Sequence, residues 1–482
     1  ARPLTADRLQ CLRLVFSVAP REGTFKAVRD GTADPSVELS PAHRHWSRRL
    51  AGLRASELRE HVRRIEESAS DLGIWERGGY VPVQPFILTT AAKELLHDVG
   101  ARLKELVVGH ALERAGGDLH RLADITEWRD DERWFLGGSR PLSNALGAAR
   151  SDVFISGGRP HIFEINIGTC LNGATSSSAL STALLRTPLG AEMVRTHGIE
   201  SDVYVDQLVR WIRRQHPGES PEVALLAFPD QGDEGALRWV DEHVTRFASQ
   251  GIPCEFVAVG EADIVGGSLV WRGKRYGIAI RYYMVTPRAA DHLDFLSALE
   301  RATGTVLFGS YVSQLFTSKN LLADLYQDDR LTAAERRVLH YVPWTARLKD
   351  GPVRRGEGRV DPVEWAALNR EHAVLKPGNL FGSRGLVVGH LTSEADWPGD
   401  LEAAVQDGGY VVQERVRPDT WTIPYWHIES EALVSVDSPV LMGPFVVDGA
   451  DGGVYTQQPI NGTEDDFLGE DRDVSLGCVM SA

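Results

Sequence analysis

The chain has 482 residues, 43% hydrophobic and 25% charged, a size and mixture that suit a globular enzyme of two or three subdomains and exclude a disordered or fibrous chain. A formal charge of −15 and a pI of about 5.5 exclude a non-specific nucleic-acid binder, while a local basic cluster can still meet an anionic small molecule. The four cysteines, Cys11, Cys170, Cys254 and Cys478, are scattered, which excludes a CxxC metal site and argues against a disulfide framework.

No apolar run approaches the roughly 20 residues that span a bilayer. The opening Ala1-Arg2-Pro3-Leu4 has no basic stretch followed by an apolar core, so the expectation is a cytoplasmic protein with no membrane or nucleic-acid partner.

Residues 1–145 read as a mainly helical region. Apolar residues recur at helical spacing in Leu9, Leu12, Leu14 and Val15, and again in Leu95, Leu96, Val99, Leu103 and Leu106. Residues 31–41 are rich in turn formers and read as a loop. His43 and His45, next to Arg44 and Arg48, read as a solvated basic helix start. Residues 146–205 read as a strand-rich core, with apolar runs at 153–155 and 161–165 around Gly157-Gly158-Arg159-Pro160, a hairpin signature. A helix opened by serines follows at 176–186.

Residues 206–305 read as an α/β unit. A strand at 223–228, a helix with Leu237, Val240, Val244 and Phe247 on one face, and a strand at 254–259 imply a parallel pair with a crossover helix. Residues 269–271 and 276–280 flank Arg272-Gly273-Lys274-Arg275 as another hairpin. Residues 306–482 read as a mixed region: a helix at 319–326 and strands at 373–375, 386–388, 410–412 and 445–447.

Four short constellations carry chemistry. In residues 375–386, Lys376 ends a strand, and a loop with Gly378, Gly382, Ser383, Arg384 and Gly385 follows. Small residues let backbone N–H groups approach phosphate oxygens, and the lysine adds a point charge; a glycine hairpin with a solvated lysine fits the same residues. In residues 410–416 a strand runs into Gln413, Glu414, Arg415 and Val416, which can offer backbone groups to an adenine edge and a carboxylate to ribose, or form a plain edge strand. Glu164 and Asn166 point to one face of a strand, as two oxygen donors for Mg²⁺ or as its solvated face. Thr317 or Ser318 caps a helix whose first residue, Lys319, opposes the helix dipole unless an anion lies there; a surface lysine is the plain alternative.

Taken in this order, the motifs resemble the ATP-grasp superfamily and, within it, the eukaryotic-type glutathione synthetases, over residues 145–458. The resemblance implies an α/β fold with a helical N-terminal region, an inserted α/β substrate or lid domain at 206–305 and a nucleotide-binding region at 306–482. It implies ATP and Mg²⁺, with Glu164 and Asn166 on the metal and Lys319 and Lys376 on phosphates. Residues 413–416 would clasp adenine. Arg150 and Ser151 resemble the Arg-Ser-Asp segment that contacts the product, Thr169 stands at a substrate-contacting position, and Arg281 and Tyr283 resemble the segment that binds a substrate carboxylate. Residues 342–345 (Val-Pro-Trp-Thr) resemble a segment common in related ATP-grasp proteins. The chain departs from the pattern where the family loop carries a glutamate and an asparagine: Leu380 and Gly385 stand there, which leaves the third metal ligand unassigned and Asn379 as a candidate. Gln457 replaces a carboxylate-holding arginine, which favours a substrate pair other than that of glutathione synthesis.

The reaction so implied is an amide or γ-glutamyl bond formed between amino acids or short peptides through an acyl phosphate, with Arg150, Lys319 and Lys376 as the catalytic cations and release of ADP and phosphate. The partners are small amino-acid or peptide substrates, and a homodimer is compatible. A small-molecule kinase on the same fold and a nucleotide-binding regulator without turnover are the alternatives. A nicotinamide dehydrogenase is weaker, because Gly137-Gly138 and Gly266-Gly267 make no GxGxxG after a strand.

Overall fold

A computed structural model describes residues 36–69, 79–138, 141–218, 221–228, 234–284, 291–459 and 474–482. The helical repeat at Leu9 to Val15, residues 31–35 of the loop expected at 31–41, and the side chains of Leu237 and Val240 lie outside the described residues.

The centre of the molecule is a six-stranded sheet. Its strand order is Phe86–Leu88, Val474–Ser481, Ala450–Pro459, Leu441–Val447, Ala148–Ser156 and Arg159–Ile167, antiparallel except for the first pair. The long helix Thr90–Ala115 packs on this sheet and also against Lys319–Gln327 and Ala333–Leu339. It buries residues around much of its circumference, Leu95, Leu96, Val99, Leu103, Leu106, Val107 and Val108 among them, because it has neighbours on more than one side. The Thr89 hydroxyl caps its start and Gly116, in the left-handed region at φ 65°, ends it. Among the described residues no helix is long and apolar enough to cross a membrane.

The α/β unit is a four-stranded parallel sheet ordered Val306–Phe308, Ile278–Arg281, Val223–Ala227 and Cys254–Ala258. Val223–Ala227 is buried along its whole length, as a central parallel strand must be. The hairpin expected at 269–280 forms, turning at Arg272-Gly273, but its second arm is shorter than expected and ends at Tyr276. Ser268–Trp271 pairs with Lys274–Tyr276, and after Gly277 the chain enters the parallel sheet as Ile278–Arg281, so one apolar run serves two sheets. A third sheet, ordered Thr345–Arg347, Tyr410–Glu414, Ala373–Pro377 and Val387–Val388, is antiparallel.

Two further expectations change. The segment 441–482, assigned by sequence to the nucleotide region, supplies three strands of the central sheet, a long-range pairing invisible to local pattern. The basic helix start is not solvated at His43. That ring is buried in Pro41–Ala51, accepts the Ile87 N–H at 3.3 Å, and burial pushes it down to about 4, while His45 Nδ1 lies 2.7 Å from His197 Nε2.

Candidate functional site

The hairpin Ala148–Ser156 and Arg159–Ile167 turns through Gly157 and Gly158, both at positive φ (57° and 75°), as a tight two-residue turn requires. Both glycine N–H groups donate to the Asp419 carboxylate, at 2.9 and 3.0 Å. Arg150 pairs with Asn166 and Asp152 with Glu164; the register then shifts, Val153 meeting Ile162, so Phe163 is an extra residue, a β-bulge. The bulge interrupts strict alternation: Ile162, Ile165 and Ile167 are buried, while Phe163, Glu164 and Asn166 are half-buried towards the site.

Five ionisable side chains gather on this face. Arg150 grips Asp152 with Nε to Oδ1 at 2.7 Å and Nη2 to Oδ2 at 2.9 Å. Its Nη1 donates to the Asn172 carbonyl at 2.9 Å, and Asn166 Nδ2 lies 3.3 Å from Asp152 Oδ2. Lys319, the first residue of Lys319–Gln327, places Nζ 3.4 Å from Glu164 Oε1 and 3.0 Å from the Leu380 carbonyl. Lys376, in Ala373–Pro377, donates to Gln413 Oε1 at 2.6 Å and to the Phe163 carbonyl at 3.4 Å, with Nζ 4.9 Å from the centre of the Phe163 ring. Gln413 in turn donates through Nε2 to Thr345 Oγ1 at 2.9 Å, and that hydroxyl donates to the Pro343 carbonyl at 2.9 Å. Lys376 is thus held by a buried chain of hydrogen bonds that reaches into the 342–345 segment.

Three cations against two carboxylates leave the cluster with one excess positive charge. Burial pushes Lys376 down to about 8, and Lys319 adds to this while Glu164 and Asp152 oppose it. Burial pushes both facing carboxyls up. At Glu164, Lys319, Lys376 and Arg150 outweigh burial and hold the group below its ordinary range; Asp152 stays above its own, with Arg150 pulling down and the Glu164 charge pushing up. Glu164 is therefore the member of the pair better disposed to stay ionised.

The loop at 378–385 is sewn to the helix that carries Lys319. The Lys319 N–H donates to the Gly378 carbonyl at 2.9 Å, and a Cβ at Gly378 would stand 2.8 Å from Asn320 Nδ2. The expected capping by Thr317 or Ser318 is corrected: neither hydroxyl caps the helix, and Ser318 Oγ points to the Gly378 carbonyl at 3.4 Å. Gly382, Ser383 and Gly385 all lie in the left-handed region, and for Ser383, at φ 63°, that conformation is strained. The Arg384 Nε donates to the Phe381 carbonyl at 3.2 Å, closing the loop on itself. Asn379 donates to the Thr126 carbonyl at 2.6 Å, so its amide ties the loop to the helical layer.

The structure does not bring every expected residue to this cluster. Ser151 alternates to the opposite face of its strand, where its Oγ lies 3.1 Å from where a Cβ of Gly100 would be. Arg281 is fully buried. Its guanidinium donates to the Gly309 carbonyl, to the Tyr283 carbonyl at 2.7 Å and to Ser313 Oγ at 3.5 Å, and it braces Gly168 at the end of the hairpin, where a Cβ would stand 2.8 Å from Nη2. Thr169 donates to the Arg281 carbonyl, and Tyr283 packs against Phe228 at 5.6 Å in the core of the α/β unit. As folded, Arg281 and Tyr283 present no edge to solvent. In the 413–416 segment, the Glu414 N–H is spent on the Trp344 carbonyl and the Arg415 N–H on that of His372, both at 2.8 Å, so neither is available to a base edge. The Glu414 carboxylate meets Arg355 at 3.3 Å, and Arg355 stacks against Trp344 and Trp365. Gln457 is buried in Ala450–Pro459, paired between Leu441 and Leu476.

The sequence reading gave Asp152, the aspartate of the Arg-Ser-Asp segment, no role of its own and did not single out Tyr455. Asp152 stands two residues from Arg150 on one strand face, a signal that was present. Tyr455 lies more than 300 positions away from Arg150, and no local pattern joins them.

No family model and no curated protein matches the chain. Among solved structures it is similar to a glutathione synthetase-like effector from Globodera pallida, at 12% identity and a TM-score of 0.55, over 87% of this chain and 97% of that one. A candidate gamma-glutamylcysteine synthetase from Methylobacillus flagellatus also matches at 11% identity, over 76% of this chain and 84% of that one, with a TM-score of 0.41, too low to carry weight. The likeness to the effector is one of fold alone: the chain shares its mixed α/β architecture.

Proposed function

We propose that the chain is an ATP-dependent, ADP-forming ligase that joins a carboxylate to an amine of amino acids or short peptides. The observation that carries this is the cluster of buried Arg150, Lys319, Lys376 and Asp152 with half-buried Glu164, assembled where the hairpin, the Lys319 helix and the Lys376 strand meet. Keeping three cations out of bulk water is costly unless anions answer them, and two carboxylates leave one positive charge for an incoming phosphate or carboxylate.

In this reading Lys319 and Lys376 screen the phosphates of ATP. The substrate carboxylate oxygen attacks the terminal phosphorus and ADP leaves. The amine nitrogen then attacks the acyl carbon, phosphate leaves, and the nitrogen gives up its proton. Arg150 has two guanidinium donors beyond those it spends on Asp152 and Asn172, and these steady the acyl phosphate or its tetrahedral successor. Glu164 and Asn166 would hold Mg²⁺: the carboxylate is kept ionised by lysines, and the amide, its nitrogen turned to Asp152, has its oxygen to give. When bound, the ion neutralises phosphate charge. The loop at 378–385 shields the acyl phosphate from water.

A nucleotide-binding protein without turnover is the second reading, favoured by the lack of any acid between residues 378 and 385. A matrix of amino acids and short peptides, scored by ADP release with mass-spectrometric detection of the amide, tests the first reading. Amide formation that needs both an acid and an amine supports it. MgATP binding by calorimetry with no ADP release from any pair favours the second, and no MgATP binding overturns both.

A further inference from the structure

The Arg150 guanidinium is held by more than its ion pair. Its guanidinium carbon lies over the Tyr455 ring, 5.0 Å from the ring centroid, a cation–π contact. Tyr455 is 2% exposed and belongs to Ala450–Pro459, which is separated from the Arg150 strand by the intervening strand Leu441–Val447. A ring reaches across an intervening strand only if that strand has no side chain in the way. Tyr455 pairs directly with Gly443, where a Cβ would stand 2.0 Å from Tyr455 Cε1 and 3.0 Å from Arg150 Cδ. At Gly173, before the helix Ala174–Arg186, a Cβ would stand 2.4 Å from Tyr455 Cδ2.

Gly443 is the more telling of the two. Gly173 adopts φ 88°, where glycine is favoured for the backbone's sake, whereas Gly443 is not among the positive-φ glycines. A glycine in the interior of a buried strand weakens it, and here the space it leaves is filled by the ring beneath Arg150.

We infer that Tyr455, laid across Gly443, is a positioning residue that sets the plane of the Arg150 guanidinium for the substrate's carboxyl group; the substrate part of this rests on the ligase reading above. Asp152 fixes the guanidinium in its plane, and the ring fixes the plane itself. The two remaining donors then point in one direction rather than sampling several, which lowers the cost of ordering them on binding.

Two measurements on the full chain test this. In steady-state kinetics, Tyr455→Leu is expected to raise KM for the carboxylate substrate about tenfold and to leave ATP affinity within about twofold. Tyr455→Phe, which keeps the ring, should stay within about threefold of the parent on the same scale. Gly443→Ala pushes the ring aside and should match Tyr455→Leu, and the double variant should be no worse than either single one. Independently of turnover, the Arg150 Nε–H resonance in arginine-¹⁵N-labelled protein, assigned by its loss in Arg150→Lys, should shift and exchange faster in Tyr455→Leu and in Gly443→Ala. If Tyr455→Leu fails to fold, Gly443→Ala alone decides. An unmoved Arg150 resonance overturns the socket whatever the kinetics; so does a variant with a lower melting temperature but unchanged KM and resonance. A moved resonance in a protein whose parent turns over no substrate pair leaves the socket standing and removes the ligase reading instead.

Discussion

Arg150 and Arg281 are both buried arginines on β-strands, yet the two regions use them differently. Arg150 faces a carboxylate, a carbonyl and an aromatic ring, keeps two donors, and sits among four other charged groups. Arg281 spends its fork on the carbonyls of Gly309 and Tyr283 and on a serine hydroxyl, and it holds the parallel sheet to the end of the site hairpin. The same guanidinium is a poised group in a mixed cluster of charges and a rivet in a bed of carbonyls. What separates them is the chemistry of the acceptors, since each is nearly or fully removed from solvent.

The largest effect that probes this contrast belongs to Glu164, which shares the cluster with Arg150. Glu164→Gln keeps the shape and removes the charge that faces Lys319. Turnover is expected to fall by about 10²–10³-fold, as for other losses of transition-state electrostatics, with the fold intact by circular dichroism and a lower melting temperature from the cations left unanswered. Retained turnover at saturating Mg²⁺ would take the hairpin out of the reaction.

Next comes Arg281→Lys. A point charge cannot replace the fork, so buried carbonyls lose their donors, and stability should drop by about 1–3 kcal/mol in urea unfolding. ATP affinity and the Michaelis constants of the folded fraction should stay near those of the parent. A strong rise in one KM without loss of stability would make Arg281 a substrate anchor after all and erase the contrast.

A third test uses pH. Lys376, pushed down to about 8 by burial, carries its charge below that pH and loses it above. If that charge serves phosphate binding, kcat/KM should decline above pH 8, approaching about tenfold per unit. Gln413→Leu removes the acceptor that favours the ammonium form and should move this falling limb to lower pH. A profile flat to pH 10 would detach Lys376 from the reaction.

A last effect, on stability in acid, lies away from the cluster. His43 has a folded-state value of about 4 against an ordinary 6.5, because burial disfavours its charged form. Between those values the unfolded chain binds more protons, so stability should fall as pH drops from 6.5 to about 4 and then level off as far as this residue is concerned. His61 and His110, also lowered by burial, act in the same direction. His97 acts against them: burial pushes it down, but Asp98 and Asp451 together raise it. Denaturant midpoints across this range should show the loss, and His43→Gln should reduce it.

The local parts of the site were legible from sequence. Gly157-Gly158 between apolar runs marked the hairpin, and strand alternation put Glu164 and Asn166 on one face. The mismatch of Lys319 with its helix dipole marked a place where negative charge belongs, which Glu164 and the Leu380 carbonyl supply. Where a motif was carried over as a block, alternation was the better guide: Ser151, between Arg150 and Asp152, turns to the long helix. At Gln413 to Val416 the strand end is not open: the carbonyls of Trp344 and His372 take the N–H groups of Glu414 and Arg415, a pairing that local sequence does not reveal.

By itself the sequence determined the elements whose physics is local: the capped helix at Thr90–Ala115, the glycine-turned hairpin, and the crossover unit with its parallel pair. Side-chain periodicity and turn chemistry operate over a few residues, and a linear reading captures them. Only the tertiary structure decided which charges meet. It brought Lys319 and Lys376 to Glu164, routed Lys376 through Gln413 to Thr345, and returned the chain after residue 441 to pair beside the hairpin and lay Tyr455 under Arg150. Those contacts join residues dozens to hundreds of positions apart. The energy of a buried charge depends on every neighbour the fold supplies, so its role cannot be settled from its own segment.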